Sequence, residues 1–147
     1  MTPEDKELLL KDLCARLPYE VIVDYSYNAY DVRIKHEQEC ILDCDLLDTF
    51  MSPRLDEKGE YIKPYLFPLS SMTEEQKKEL NKKFNVQLLG NDIYSIHYHS
   101  EGCWDTDLEL DLQDWLWFIN WCYKNHFDIY GLIPMGLAID ATGLDIY

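Results

Sequence analysis

The stretch Val21-Ile22-Val23-Asp24-Tyr25-Ser26-Tyr27-Asn28-Ala29-Tyr30-Asp31-Val32-Arg33-Ile34-Lys35-His36 decides the fold, because its side chains change character with a period of two. Val21, Val23, Tyr25 and Tyr27 share one face, and Ile22, Asp24 and Ser26 share the other. After a turn at Asn28-Ala29, Tyr30, Val32, Ile34 and His36 alternate with Asp31, Arg33 and Lys35, the pattern of a half-exposed antiparallel strand. A second turn at Glu37-Gln38 leads to Cys40, Leu42, Cys44 and Leu46 on a common face, which predicts a third strand and an antiparallel meander. A looser hairpin is expected between Phe50 and Tyr65 around the turn Asp56-Glu57-Lys58-Gly59. Ile93 to His99, rich in β-branched and aromatic residues, predicts one more strand.

Helices flank this sheet. Thr2-Pro3-Glu4-Asp5 opens one: a hydroxyl cap, a proline where the missing N–H costs nothing, and acids in the first turn. Leu9, Leu13 and Leu17 repeat every four residues until Pro18 stops the pattern. Thr73-Glu74-Glu75-Gln76 reads as a capping box for a largely solvated helix that reaches Phe84, with Leu80 and Phe84 as its apolar contacts. The strongest helical period runs from about Asp111 to His126. A short helical turn is expected near Leu137. Together these readings predict one α+β domain over residues 1–147: an antiparallel sheet of four or five strands, an N-terminal helix, and two further helices on one face or end.

The chain has 147 residues, with 28 acidic side chains against 13 basic ones, and carries a net charge of −15. The charge falls as −7 over residues 1–50, 0 over 51–100 and −8 over 101–147. A direct nucleic-acid binder is therefore not expected, since phosphate contacts are made by clustered Lys and Arg. At 47% apolar residues the composition supplies a core, which excludes disorder of the whole chain. The longest wholly apolar run is Trp115-Leu116-Trp117-Phe118-Ile119, far short of the roughly 18 residues that cross a bilayer. The N-terminus lacks the order of a secretion signal, and five cysteines suggest reduced thiols. A cytoplasmic protein without membrane association is the expectation.

Few residues point to chemistry. Cys40 and Cys44 on one strand would lie roughly 13 Å apart, too far for a disulfide, and are expected to be core thiols. His97 and His99 would share a strand face, and Glu101 or Cys103 could add a ligand, but neither a defined third ligand nor a second shell can be pointed to, so neither a metal nor a cofactor is expected. A calcium loop starting at Asp105 fails, since its twelfth position is Leu116 and its sixth is not glycine. Phosphate-binding glycine loops, nucleophile elbows and His-Glu-x-x-His are missing.

Two adjoining features remain as a candidate partner-binding surface. In Asp105-Thr106-Asp107-Leu108-Glu109-Leu110-Asp111 the acids fall on alternate positions, about 6.6–6.8 Å apart if the run is extended, comparable to the repeat of a nucleic-acid backbone. In the helix that follows, Leu112, Trp115, Leu116, Ile119, Cys122, Tyr123 and His126 form the expected core stripe, while Trp117 and Trp121 lie on roughly the opposite side near Asp114. Either the helix is buried all round, the reading we adopt, or the two tryptophans are exposed as a protein-binding hot spot.

Three blocks of sequence carry a resemblance: Leu8-Leu9-Leu10-Lys11-Asp12-Leu13-Cys14-Ala15-Arg16-Leu17-Pro18-Tyr19; Lys63-Pro64-Tyr65-Leu66 with Pro68-Leu69-Ser70-Ser71-Met72-Thr73-Glu74-Glu75; and His126-Phe127-Asp128 with Tyr130-Gly131-Leu132-Ile133 and Gly136-Leu137-Ala138. They resemble a family of small proteins carried by gut Bacteroidetes, their phages and mobile elements. The resemblance implies an origin and brings no functional residues with it. With the charge, it leads to the expectation of a non-enzymatic acidic binding protein that occupies a host protein with a basic surface, as an inhibitor of a defence or nucleic-acid-handling component. Asp105, Asp107, Glu109, Asp111, Asp114, Trp117 and Trp121 are its expected contacts. Two alternatives stay open, as does a homo-oligomer: a small-ligand sponge walled by Tyr25, Tyr27 and Tyr30, and an enzyme using His36, His97, His99 or Cys103.

Overall fold

A computed structural model describes residues 1–28, 34–51, 61–84 and 112–147. Helix α1 spans Pro3–Arg16 and starts as its sequence dictates. The Thr2 hydroxyl accepts from the Asp5 N–H at 3.1 Å, and the Asp5 carboxylate accepts from the Thr2 N–H at 2.9 Å. Strands β1 (Ile22–Asn28) and β2 (Ile34–Ile41) pair antiparallel, with a bulge between Val23 and Tyr25. Helix α2 covers Cys44–Met51, strand β3 Tyr61–Leu66, helix α3 Glu74–Phe84, helix α4 Leu112–Lys124 and the two-residue strand β4 Ile139–Asp140. The fold is α+β.

Two expectations about the sheet need correction. β2 continues through Glu37-Gln38 to Ile41, and Cys44 begins a helix, so no third meander strand covers Cys40 to Leu46. The Asp43 carboxylate explains the switch: it accepts from the Leu46 N–H at 2.8 Å and so caps α2, and Leu47 and Phe50 on that helix then reach the core. The sheet is also mixed. Its order is β2-β1-β3-β4, antiparallel across β1 but parallel between β3 and β4, where Tyr65 pairs with Ile139 and Leu66 with Asp140. The region before Leu137, expected as a helical turn, is a hydrogen-bonded turn that leads into β4: the Gly136 N–H bonds the Ile133 carbonyl and the Leu137 N–H the Leu132 carbonyl, both at 2.9 Å. The expected strand over Ile93–His99 and the turn at 56–59 lie outside the described residues.

The core has two centres. Leu9 and Leu13 of α1, Val21 before β1 and Val23 on it, Leu47 and Phe50 of α2, and Ile62 and Leu66 of β3 are closed against one another, together with Leu132 and Ala138. Beyond the end of β3, Met72 and Leu80 pack on Phe118, Trp121, Cys122 and Phe127. The α3 capping box is in place, with reciprocal bonds of 2.9 and 3.2 Å between Thr73 and Gln76. Among the described residues no helix is long and apolar enough to cross a membrane.

Candidate functional site

Of the seven expected contact residues, Asp105, Asp107, Glu109 and Asp111 lie outside the described residues. The other three sit on α4, and the structure treats them differently. Trp121 is buried, stacked between Phe118 at 6.5 Å and Phe127 at 5.6 Å. Trp117 is half-buried, stacked on Trp121 at 6.3 Å, with the Lys83 ammonium 5.8 Å above its ring. Lys83 also reaches Asp114 at 3.5 Å, so Asp114 and Trp117 meet on one cation contributed by α3.

The expected core stripe of α4 is therefore turned. Cys122 and Tyr123 are buried as predicted, but Leu112, Trp115 and Leu116 are 72%, 44% and 46% exposed. Gln113, Asn120 and Lys124 cluster on the wheel at about 100° per residue, and the position opposite them is Cys122, with Phe118 on one side and Trp115 on the other; the polar arc points to the buried Cys122 and Phe118 but does not foretell the exposure of Trp115. Reading the apolar residues alone could not settle the face, because they run nearly all round the helix. Leu112, Trp115 and Leu116 stand at i, i+3 and i+4, on one surface of the first turns of α4. The Trp115 ring is held edge-on against Phe118 at 6.3 Å.

Two polar clusters escaped sequence reading. In the first, Asp12 and Arg16 are closed to solvent on the inner face of α1. The guanidinium donates from Nε and Nη2 to the two Asp12 oxygens at 2.7 and 2.9 Å, and from Nη2 to the Phe127 carbonyl at 2.7 Å. It also lies 5.0 Å over the Tyr123 ring. Phe127 is presented by the end of α4: the Phe127 N–H bonds the Cys122 carbonyl, the His126 N–H bonds the Tyr123 carbonyl, and His126 takes φ +58°. That is a Schellman close with histidine where glycine is usual. His126 stacks on Tyr147 at 3.9 Å, and burial, helped by Arg16, pushes its imidazole down to about 4. Burial pushes the Cys122 thiol up to about 12, which makes it a packing group and not a nucleophile at neutral pH.

The second cluster lies on the face of β1 that alternation assigns to solvent. Asp24 and Ser26 are 7% and 1% exposed. The Tyr61 hydroxyl donates to Asp24 Oδ2 at 3.1 Å, whereas Asp24 Oδ1 and Ser26 Oγ are shielded and have no hydrogen-bond partner. Tyr25, expected as a pocket wall, packs partly buried against the main core instead. Cys44 is exposed, against the expectation of a core thiol, because it sits on the first turn of α2 and not on a strand. His97, His99 and Cys103 and the Tyr30 wall lie outside the described residues. His36 stands opposite Ser26 in the β1–β2 register. Among the described residues no three His, Cys, Asp or Glu side chains gather as a metal site would require.

No family model, no curated protein and no solved structure matches the chain.

Proposed function

We propose that this chain is a non-enzymatic acidic binding protein that occupies a partner protein through the first turns of α4. The observation that carries the reading is the exposed Leu112, Trp115 and Leu116 surface, with the Trp115 ring edge-on against Phe118. A rigid aromatic anchor binds at low cost in conformational entropy, and such anchors dominate interface energetics. The charge supplies the partner's character. The acids of residues 105–111 lead directly into Leu112, in a chain of net charge −15, so the complementary surface is basic around an apolar recess. If the acids align at the spacing of phosphates, they act as a nucleic-acid mimic. A host component of defence or nucleic-acid handling is the partner class that the phage and mobile-element resemblance adds.

The test is affinity purification from the native host with three baits: wild type, Trp115→Ala, and the set Asp105→Asn, Asp107→Asn, Glu109→Gln. A basic protein recovered by wild type, lost with both variants and released by salt supports the reading. A partner retained equally by all three overturns it.

A further inference from the structure

We propose that the face of β1 and β3 turned away from the main core binds a primary alkylammonium group, held by Asp24 and Ser26 beside Tyr61. Asp24 and Ser26 are two residues apart on one strand, hence on the same face and about 6.6–6.8 Å apart at the backbone. Both side chains are more than nine-tenths buried, and each leaves one oxygen without a partner. Buried polar groups in folded proteins are almost always paired, and an orphaned carboxylate oxygen is among the costlier exceptions. Asp24 Oδ1 requires a hydrogen-bond donor, and Ser26 Oγ, which can both give and accept a hydrogen bond, stands two residues away with its capacity unused. Tyr61 cannot supply the donor, because its hydroxyl is already given to the other Asp24 oxygen.

The surrounding chemistry selects the donor. A carboxylate repels an anion. A metal ion would lack ligands, since no third His, Cys, Asp or Glu joins Asp24 among the described residues. A single hydroxyl brings one donor and a water two, both without charge. An ammonium brings three donors and the positive charge that makes its hydrogen bond to the Asp24 carboxylate the stronger one. The face already accommodates one such group: Lys63, opposite Asp24 in the β1–β3 register, holds its ammonium 5.5 Å over the Tyr61 ring. Tyr61 and Lys63 are half-buried, so this edge is where an alkylammonium would enter. The site stands on a different element from the α4 surface and is independent of it.

Titration calorimetry of the whole chain with butane-1,4-diamine, against tetramethylammonium at matched ionic strength, tests the proposal. Tetramethylammonium carries the same charge per nitrogen but no N–H. Saturable one-to-one binding of the diamine is expected, weakened at least about tenfold by Asp24→Asn and roughly two- to tenfold by Ser26→Ala, and not competed by tetramethylammonium. Asp24→Asn removes one acid of 28, so diffuse attraction to the acidic surface would hardly register it. No saturable binding, unchanged affinity in Asp24→Asn, or equal competition by tetramethylammonium overturns the proposal. Should Asp24→Asn fail to fold, Ser26→Ala decides alone: it removes an orphaned hydroxyl, which a purely structural role would reward with equal or greater stability and no effect on the diamine.

Discussion

Arg16 and Asp12, one turn apart on α1, form a two-point bridge of 2.7 and 2.9 Å with neither side chain open to water. The same guanidinium binds the Phe127 carbonyl, so a local pair ties the first helix to the segment after the last one. Burial pushes the Asp12 carboxyl up, and Arg16 opposes that shift. Removing one partner strands the other charge in the interior. Asp12→Ala should therefore cost about 3–5 kcal/mol in urea unfolding, whereas the double variant Asp12→Leu, Arg16→Met should lose much less, because both charges leave together. A cost under about 1 kcal/mol for Asp12→Ala would show that the bridge does not hold the elements.

His126 makes stability depend on pH. Its folded value near 4 lies below the ordinary 6.5 of the unfolded chain, so between those values the unfolded state binds the extra proton. This contribution is complete above pH about 6.5 and is lost as the pH falls toward 4. Allowing for the partial exposure of the ring, it is on the order of 1–2 kcal/mol. Asp5, Glu7 and Glu74, held low by their hydrogen-bonding neighbours, lose stability over the acid range too, but equally in a variant. Asn tolerates the left-handed backbone at this position. The drop in urea midpoint between pH 7 and 4.5 should be smaller in His126→Asn than in wild type; equal drops would remove His126 as a cause.

What was legible in the sequence is what local chemistry decides. The Thr2 and Thr73 caps, the period-two run of β1 and the length of α4 all follow from neighbours within a few residues. What was not legible depends on distant partners. Cys40-Ile41-Leu42-Asp43-Cys44 alternates like a strand throughout, yet β2 ends at Ile41 and the Asp43 cap starts a helix at Cys44. β4 is two residues long and exists because Leu66 offers its edge, which no pattern near Ile139 announces. Asp12 and Arg16 look like a surface i,i+4 pair until α4 and Phe127 close over them. Asp24 and Ser26 alternate as solvent-facing residues, and their burial shows only in three dimensions.

The tryptophans of α4 should separate cleanly. Trp115 is 44% exposed and meets Phe118 edge-on, whereas Trp121 lies between two aromatic rings in the second core centre. Trp115→Phe should lower the fraction of fluorescence quenched by acrylamide, a neutral quencher that the acidic surface does not repel, and Trp121→Phe should not. In unfolding, Trp121→Ala should cost about 3–5 kcal/mol and Trp115→Ala no more than about 0.5 kcal/mol. A large cost for Trp115→Ala would mean that this ring is a packing residue, and would remove the anchor from the proposed interface.

Tyr147 joins three elements through one side chain. Its hydroxyl donates to the Tyr65 carbonyl at 2.7 Å and accepts from the Ile22 N–H at 3.1 Å, while its ring stacks on His126 and tilts against Phe67 at 5.7 Å. Tyr147→Phe keeps the ring contacts and removes both hydrogen bonds, so it should cost about 1–2 kcal/mol, with a further loss in Tyr147→Ala. The phenol adds an alkaline signature. Burial pushes it up to about 12, against an ordinary value of 10, so the unfolded chain loses that proton first and stability falls as the pH rises from 10 to 12. Tyr61, Tyr65 and Tyr123 are raised as well, so the comparison must be with the variant and not with zero. The loss of stability between pH 9.5 and 11.5, followed by urea midpoint, should be smaller in Tyr147→Phe than in wild type. Identical alkaline slopes, with the neutral-pH cost still present, would mean that the hydroxyl bridges the strands without its ionisation being linked to folding.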